Sequence, residues 1–309
     1  MTAPVDVVVV GGGPAGLSAA LNLVRARQRV LVLDGNRPRN AATLHSHGFL
    51  TRDGVSPLEL RRMGRDEVTS YSDAEVQFAL VDSVTAVDGG FRVTASGVRG
   101  APDRDVTTTR VLVAAGLRET LPSIGNLRAY YGTALHSCYE CDGYEKAGEA
   151  LAVIGETDDL VERALMVAVW SDDIIVFTNG VATVTDDDER MLAARGIPVE
   201  RRVVAEIVGD RGELTGLRLE DGEVVPRTAG FVRPRWTAAL DYLDALGADT
   251  DEDGLLIVDA AGRTSIPGLY AAGDITPPGP EQLIVAAGEG AQVSATIIRD
   301  TVFAEARSI

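Results

Sequence analysis

The feature that most constrains this chain is a glycine turn near its N-terminus. A largely apolar run at residues 5–10 leads into Gly11-Gly12-Gly13-Pro14-Ala15-Gly16. Leu17, Leu21 and Val24 then recur at helical spacing, and a second apolar run at 30–33 ends in Asp34. Strand, G-x-G-x-x-G, helix, strand and terminal acid together specify a dinucleotide-binding βαβ unit. Gly11 makes the tight turn, Gly13 lets backbone approach a pyrophosphate at the helix N-terminus, and Gly16 lets helix and strand pack closely. Asp34 is placed to accept hydrogen bonds from a ribose.

The rest of the chain fits an α/β protein. Loop and helix follow from 37 to 71. Short alternating runs come next at 76–80, 83–87, 91–95 and 106–113, with a hairpin signal at Gly89-Gly90. The last run ends in Ala115-Gly116. A second βαβ-like unit spans a strand at 151–154, Gly155, a helix at 160–170 and a strand at 174–177. An antiparallel patch is expected at 203–208 and 217–225, a strand at 255–258 and a final helix at about 282–304.

Composition narrows the function. At 309 residues the chain has room for about two domains. Its net charge of −17 disfavours nucleic acid and anionic membranes as partners. No apolar stretch approaches the roughly 18 residues of a membrane helix. The N-terminus carries no basic leader, so the expected location is the cytoplasm. Only two cysteines occur, Cys138 and Cys141, and they form one C-x-x-C. Two thiols do not complete a four-ligand zinc site, and His45 and His47 have no nearby thiol or carboxylate in sequence. The pair therefore reads as a redox dithiol, with no metal site expected.

Four elements in order carry a specific resemblance: G-G-G-P-A-G at 11–16, the Ala115-Gly116 turn, C-x-x-C-D-G at 138–143 and L-Y-A-A-G-D at 269–274. Nearly the whole chain resembles the low-molecular-weight thioredoxin reductases and related flavin disulfide oxidoreductases. The resemblance implies two Rossmann-like, doubly wound, three-layer nucleotide-binding domains, the second inserted into the first. The FAD domain would span 1–116 and 233–309, and the insert 117–232. The implied FAD-contacting residues are Gly11, Gly13, Pro14, Ala15, Gly16, Asp34, Gly35, Asn40, His47, Ala115, Gly116, Gly273, Asp274, Gln282 and Leu283. Asp274 would sit by the ribityl and phosphate groups and Gln282 near the ring. Homodimers are usual in such proteins.

The same resemblance implies roles at the dithiol. Cys141 would face the flavin, Cys138 would exchange with substrate, and Asp142 would donate a proton. His136, two residues before Cys138, could tune the thiol, act as a base, or simply pack at a strand end. Tyr139 and Glu140 depart from the small residues that common thioredoxin reductases carry between the cysteines.

The insert departs further. After its first strand it reads Gly155-Glu156-Thr157-Asp158-Asp159-Leu160, keeping one glycine of the expected fingerprint. Three acids in the first turn would repel a pyrophosphate. The next strand runs into Thr178-Asn179-Gly180, without the arginine pair that would bind the 2′-phosphate of NADPH. The expectation is an FAD-dependent thiol–disulfide oxidoreductase that does not use NADPH efficiently. Its substrate would be a thioredoxin-like protein or a small-molecule dithiol or disulfide, its electron partner oxygen or ferredoxin. This pattern resembles both small-molecule dithiol oxidases and ferredoxin-dependent flavin thioredoxin reductases. A thioredoxin reductase with an atypical NADPH fingerprint and a flavin-bound sensor without turnover are the alternatives.

Overall fold

A computed structural model describes residues 5–210, 212–277 and 282–307. The chain divides into two units. The first comprises residues 1–41, 48–118 and 237–309, and the second residues 42–47 and 119–236. The expected boundaries after 116 and before 233 thus shift slightly. The segment 42–47 also moves to the second unit, because the Ala42 carbonyl packs so closely on Gly132 that a Cβ there would lie 2.0 Å from it.

In the first unit, β1 (Val5–Val10), α1 (Pro14–Arg25) and β2 (Val30–Asp34) form the expected opening. Helix α2 (Pro57–Thr69) follows, with the Ser56 side chain capping its first turn through the Glu59 amide. Strands β3 (Ala74–Val87), β4 (Gly90–Gly97) and β5 (Arg104–Val113) complete the meander. The two runs expected at 76–80 and 83–87 are one strand, because a register shift between Val81 and Ser83 absorbs Asp82 without ending the ladder. Strand β3 pairs parallel with β2 over its first part and antiparallel with β4 over the rest; β5 likewise serves β4 and β1. The strand Leu269–Ala271 adds parallel to β5, giving a parallel core in the order β3-β2-β1-β5 and then this strand.

Both faces of that core are apolar, as a doubly covered parallel sheet requires. Val7, Val9 and Val32 pack against α1 and the long helix Leu283–Arg307, while Val8, Val10, Leu31 and Leu33 face the other side. The run 255–258 does not form a strand. Leu256 makes a single bridge to Thr250, and its amide donates to the Ile275 carbonyl, so loop contacts take up its backbone groups.

The second unit holds a five-stranded parallel sheet. Its order is Val199–Glu200, Ile174–Phe177, Leu151–Gly155, Ala229–Arg233 and Leu135–His136. The helix Leu160–Val167 covers one face through Leu160, Val161, Ala164 and Val167; it stops three residues short of the expected end at Trp170. A small antiparallel sheet from Val204–Asp210, Glu213–Leu219 and Val224–Val225 covers the other. No described helix is long and apolar enough to cross a membrane.

Candidate functional site: a dinucleotide cavity and a redox turn

The first unit contains a cavity of about 320 Å³ at the C-terminal ends of its parallel strands. Such crevices are where open α/β sheets bind ligands. Gly11 has a φ of +111°, and a Cβ there would lie 2.2 Å from the Ala114 carbonyl oxygen. A Cβ at Gly16 would lie 2.0 Å from the Gly11 oxygen. Gly13 is different: a Cβ there meets nothing within 4 Å, and the residue lines the cavity. The turn is therefore tight where the chain needs it and open where a diphosphate would approach the N-terminus of α1.

Most residues expected to touch the cofactor line this cavity: Gly11, Gly13, Pro14, Ala15, Asp34, Gly35, Asn40, Ala115, Gly116, Gly273, Asp274, Gln282 and Leu283. Gly16 supports it from beneath. His47 is not among its lining residues and belongs to the second unit, where its Nε2 lies 3.6 Å from Glu145.

Four arginines that the sequence reading did not single out also line the cavity: Arg37, Arg39, Arg61 and Arg118. They offer positive charge to a diphosphate in an otherwise acidic chain. Arg61 Nη2 donates to Asp34 Oδ2 at 2.8 Å, with both side chains buried. The Asn36 amide donates to Asp34 Oδ1 at 2.7 Å. The Asp34 carboxylate keeps acceptor capacity for ribose hydroxyls after both contacts. Arg39 donates to Asp274 at 2.8 Å, and Glu289 accepts from the Gly273 amide. Nothing in the α2 sequence distinguished Arg61 from its exposed neighbour Arg62. The residues present fit FAD: open glycine backbone, a ribose acceptor and cationic walls.

In the second unit, Cys138 and Cys141 form a disulfide. Cys138 caps the short helix Tyr139–Asp142, and its Sγ accepts from the Cys141 amide at 3.1 Å. That amide would stabilise a Cys138 thiolate once the disulfide opens. Gly143 follows because nothing larger fits. A Cβ there would lie 2.4 Å from the Tyr139 oxygen and 2.6 Å from the Trp170 ring. The Trp170 ring centroid also stands 6.1 Å from that of Tyr139, and the Arg163 guanidinium lies over the Tyr139 ring, 5.0 Å from its centroid. Burial, followed by the charge of Glu140, raises the Tyr139 hydroxyl above its ordinary value.

His136 and Asp142, six residues apart in sequence, are brought together: Nδ1 and Oδ1 are 3.0 Å apart, with both side chains largely buried. His136 Nε2 lies 2.7 Å from the Thr133 carbonyl. Among the described residues, no group of three or more His, Cys, Asp or Glu could hold a metal ion.

The second glycine turn is closed from within. Leu160 is fully buried, and a Cβ on Gly155 would lie 2.8 Å from its Cδ1. Arg233 Nε donates to Asp159 Oδ2 at 2.7 Å, and its guanidinium lies 4.2 Å from the Trp236 ring centroid. Asn179 donates to Glu156 at 2.7 Å and accepts from the Val204 amide at 2.8 Å.

Comparisons with known proteins agree with this geometry. The model of the family described as pyridine nucleotide-disulphide oxidoreductase matches residues 5–290. A thioredoxin reductase of Streptomyces coelicolor is 30% identical over 305 residues, covering 92% of this chain and 90% of that protein. The crystal structure of HlmI superposes with a TM-score of 0.91 at 38% identity, covering 100% of this chain and 96% of the other. An oxidoreductase from Agrobacterium tumefaciens superposes with a TM-score of 0.87 at 32% identity, covering 97% and 99%. The dinucleotide cavity, the C-x-x-C disulfide and these likenesses lead to one conclusion: the chain belongs to the pyridine nucleotide-disulphide oxidoreductase family, as a thioredoxin reductase-like, FAD-dependent enzyme acting on sulfur groups.

Proposed function

We propose that this enzyme exchanges electrons with a dithiol or disulfide substrate through Cys138 and Cys141 and does not use NADPH efficiently as its reductant. One observation carries the second half. The helix turn that would receive the pyrophosphate of a pyridine nucleotide is occupied by its own ion pair, Asp159 with Arg233, and by the Glu156–Asn179 hydrogen bond. A diphosphate at this helix end would have to displace those contacts and face Glu156, Asp158 and Asp159. Each carboxylate about 4 Å from a phosphate costs on the order of 1 kcal/mol in water and about 4 in a half-buried site.

Bound FAD supplies a two-electron store. Gly11, Gly13, Pro14, Ala15, Gly35, Asn40, Ala115, Gly116, Gly273, Asp274, Gln282 and Leu283 would hold it, with Asp34 as acceptor for a ribose. Cys138 attacks or is attacked by the substrate sulfur, while Cys141 closes the disulfide and would exchange electrons with the flavin. Asp142 carries a proton for the departing sulfur. The substrate is a thioredoxin-like protein or a small dithiol or disulfide. Electrons pass onward to oxygen or a ferredoxin-like carrier. The chain works as a cytoplasmic homodimer.

The test is anaerobic flavin reduction by NADPH, reduced ferredoxin and a dithiol in turn, followed by re-oxidation in oxygen. Reduction by dithiol and prompt re-oxidation by oxygen supports an oxidase. Slow re-oxidation supports a protein carrier. Fast reduction by NADPH at micromolar concentration overturns the reading.

A further inference from the structure

The His136 ring is held at both nitrogens. Its Nε2 lies 2.7 Å from the Thr133 carbonyl oxygen, which can only accept, so Nε2 carries a hydrogen. Nδ1 is therefore the nitrogen that faces Asp142, at 3.0 Å from Oδ1. A bare carboxylate oxygen and a bare imidazole lone pair at that distance repel. One proton between them converts the contact into a hydrogen bond. The pair thus stores a single proton whichever atom bears it.

A neutral ring adjoins this pair, and a cation is bound to the carbonyl of the residue after His136. Phe231, on the adjoining strand Ala229–Arg233, presents a neutral ring 6.5 Å from His136. From the helix Leu160–Val167 comes Arg163, whose guanidinium donates to the Ser137 carbonyl at 2.5 Å and lies over the Tyr139 ring. Both members are shielded, with 8% and 14% of their side chains exposed. The pair also brackets the disulfide along the chain. His136 stands two residues before Cys138, and Asp142 directly follows Cys141.

We infer that His136 is a positioning residue that, locked by the Thr133 carbonyl, makes Asp142 the proton carrier for opening and closing the Cys138–Cys141 disulfide. This rests on the exchange role proposed for Cys138. A substrate dithiol bearing one thiolate attacks Cys138, a mixed disulfide forms, the Cys138–Cys141 bond breaks, and Cys141 takes the proton of the pair. The second substrate thiol returns its proton to the pair and attacks its own sulfur in the mixed disulfide. The substrate leaves as a disulfide and Cys138 leaves as a thiolate. One proton enters the cycle on the substrate and one remains on Cys141, with the pair restored. The reverse sequence reduces a substrate disulfide.

The experiment uses the FAD-loaded protein, dithiothreitol as probe, rapid-quench alkylation and mass spectrometry to count opened disulfides from pH 6 to 10. His136→Asn keeps an amide near the Nδ1 position, and His136→Gln keeps one near Nε2; neither carries a titratable proton. Each should slow opening about ten- to a hundredfold at pH 6 to 7. The deficit should shrink at least about tenfold by pH 10, where a leaving thiolate needs no acid. Asp142→Asn should behave alike, and His136→Asn/Asp142→Asn should be no slower than the slower single variant, because the two act as one unit. A pH-independent deficit in both His136 variants, or single effects that multiply in the double variant, would overturn the inference. A circular-dichroism melt of each variant reports whether both units have folded, and either His136 variant suffices. A wild-type disulfide that no dithiol opens would instead refute the exchange role itself.

Discussion

Arg233 closes the nucleotide turn of the second unit: its Nε donates to Asp159 Oδ2 at 2.7 Å while its guanidinium lies over Trp236. The acid at the helix end, which could be read from sequence only as a repulsive charge, is in fact one half of an internal pair. Both side chains are partly exposed, so the ion pair itself contributes little, on the order of 1 kcal/mol or less. Its consequence is steric and electrostatic occupancy. Removing either partner alone leaves Leu160, Glu156 and Asp158 in place, so single variants should not confer NADPH reduction.

Gly13→Glu should yield folded protein that purifies with little flavin. The position is open in the structure, so the fold tolerates a side chain, but the glutamate would fill the space for the diphosphate and add a like charge. Flavin absorbance per chain checks this; an unchanged ratio would refute the cofactor assignment.

Arg61→Leu should destabilise the first unit. Asp34 would be left as a buried carboxylate with its main-chain Asn36 contact and no cation. Breaking a buried pair on one side costs about 3 kcal/mol or more. Denaturant melts of wild type and variant measure it. The double variant Arg61→Leu/Asp34→Asn should recover part of the loss, since the uncompensated charge is gone.

The two cysteines should prove inequivalent. Cys138→Ser should leave a Cys141 thiolate beside oxidised flavin and give long-wavelength absorption, whereas Cys141→Ser should not. Identical spectra of the two variants would reject the proposed division of roles.

Much of the fold was legible because its signals are local. Gly16 is demanded by a backbone approach within the βαβ turn itself, and the alternation of β4 reflects its one buried face. Other features depend on partners distant in sequence. Residues 255–258 look like a strand but find loop carbonyls rather than a ladder. Arg61 looks like any helix-surface arginine until α2 lies over Asp34. Gly143 has an ordinary φ of −65°, and only the Trp170 ring packed against it explains the glycine. His136 and Asp142 meet because a strand end and a helical turn converge, which neither spacing nor composition announces. His47 was expected by the cofactor through resemblance, and the segment that carries it belongs with the second unit.

Stopped-flow flavin reduction under anaerobic conditions decides whether NADPH is an efficient reductant of this enzyme. With millimolar NADPH or NADH the flavin of the wild-type protein should remain oxidised over seconds, while a dithiol control reduces it. Reduction by NADPH within milliseconds, saturating at micromolar concentration, would contradict the account and make the enzyme an NADPH-dependent thioredoxin reductase with an unusual nucleotide turn.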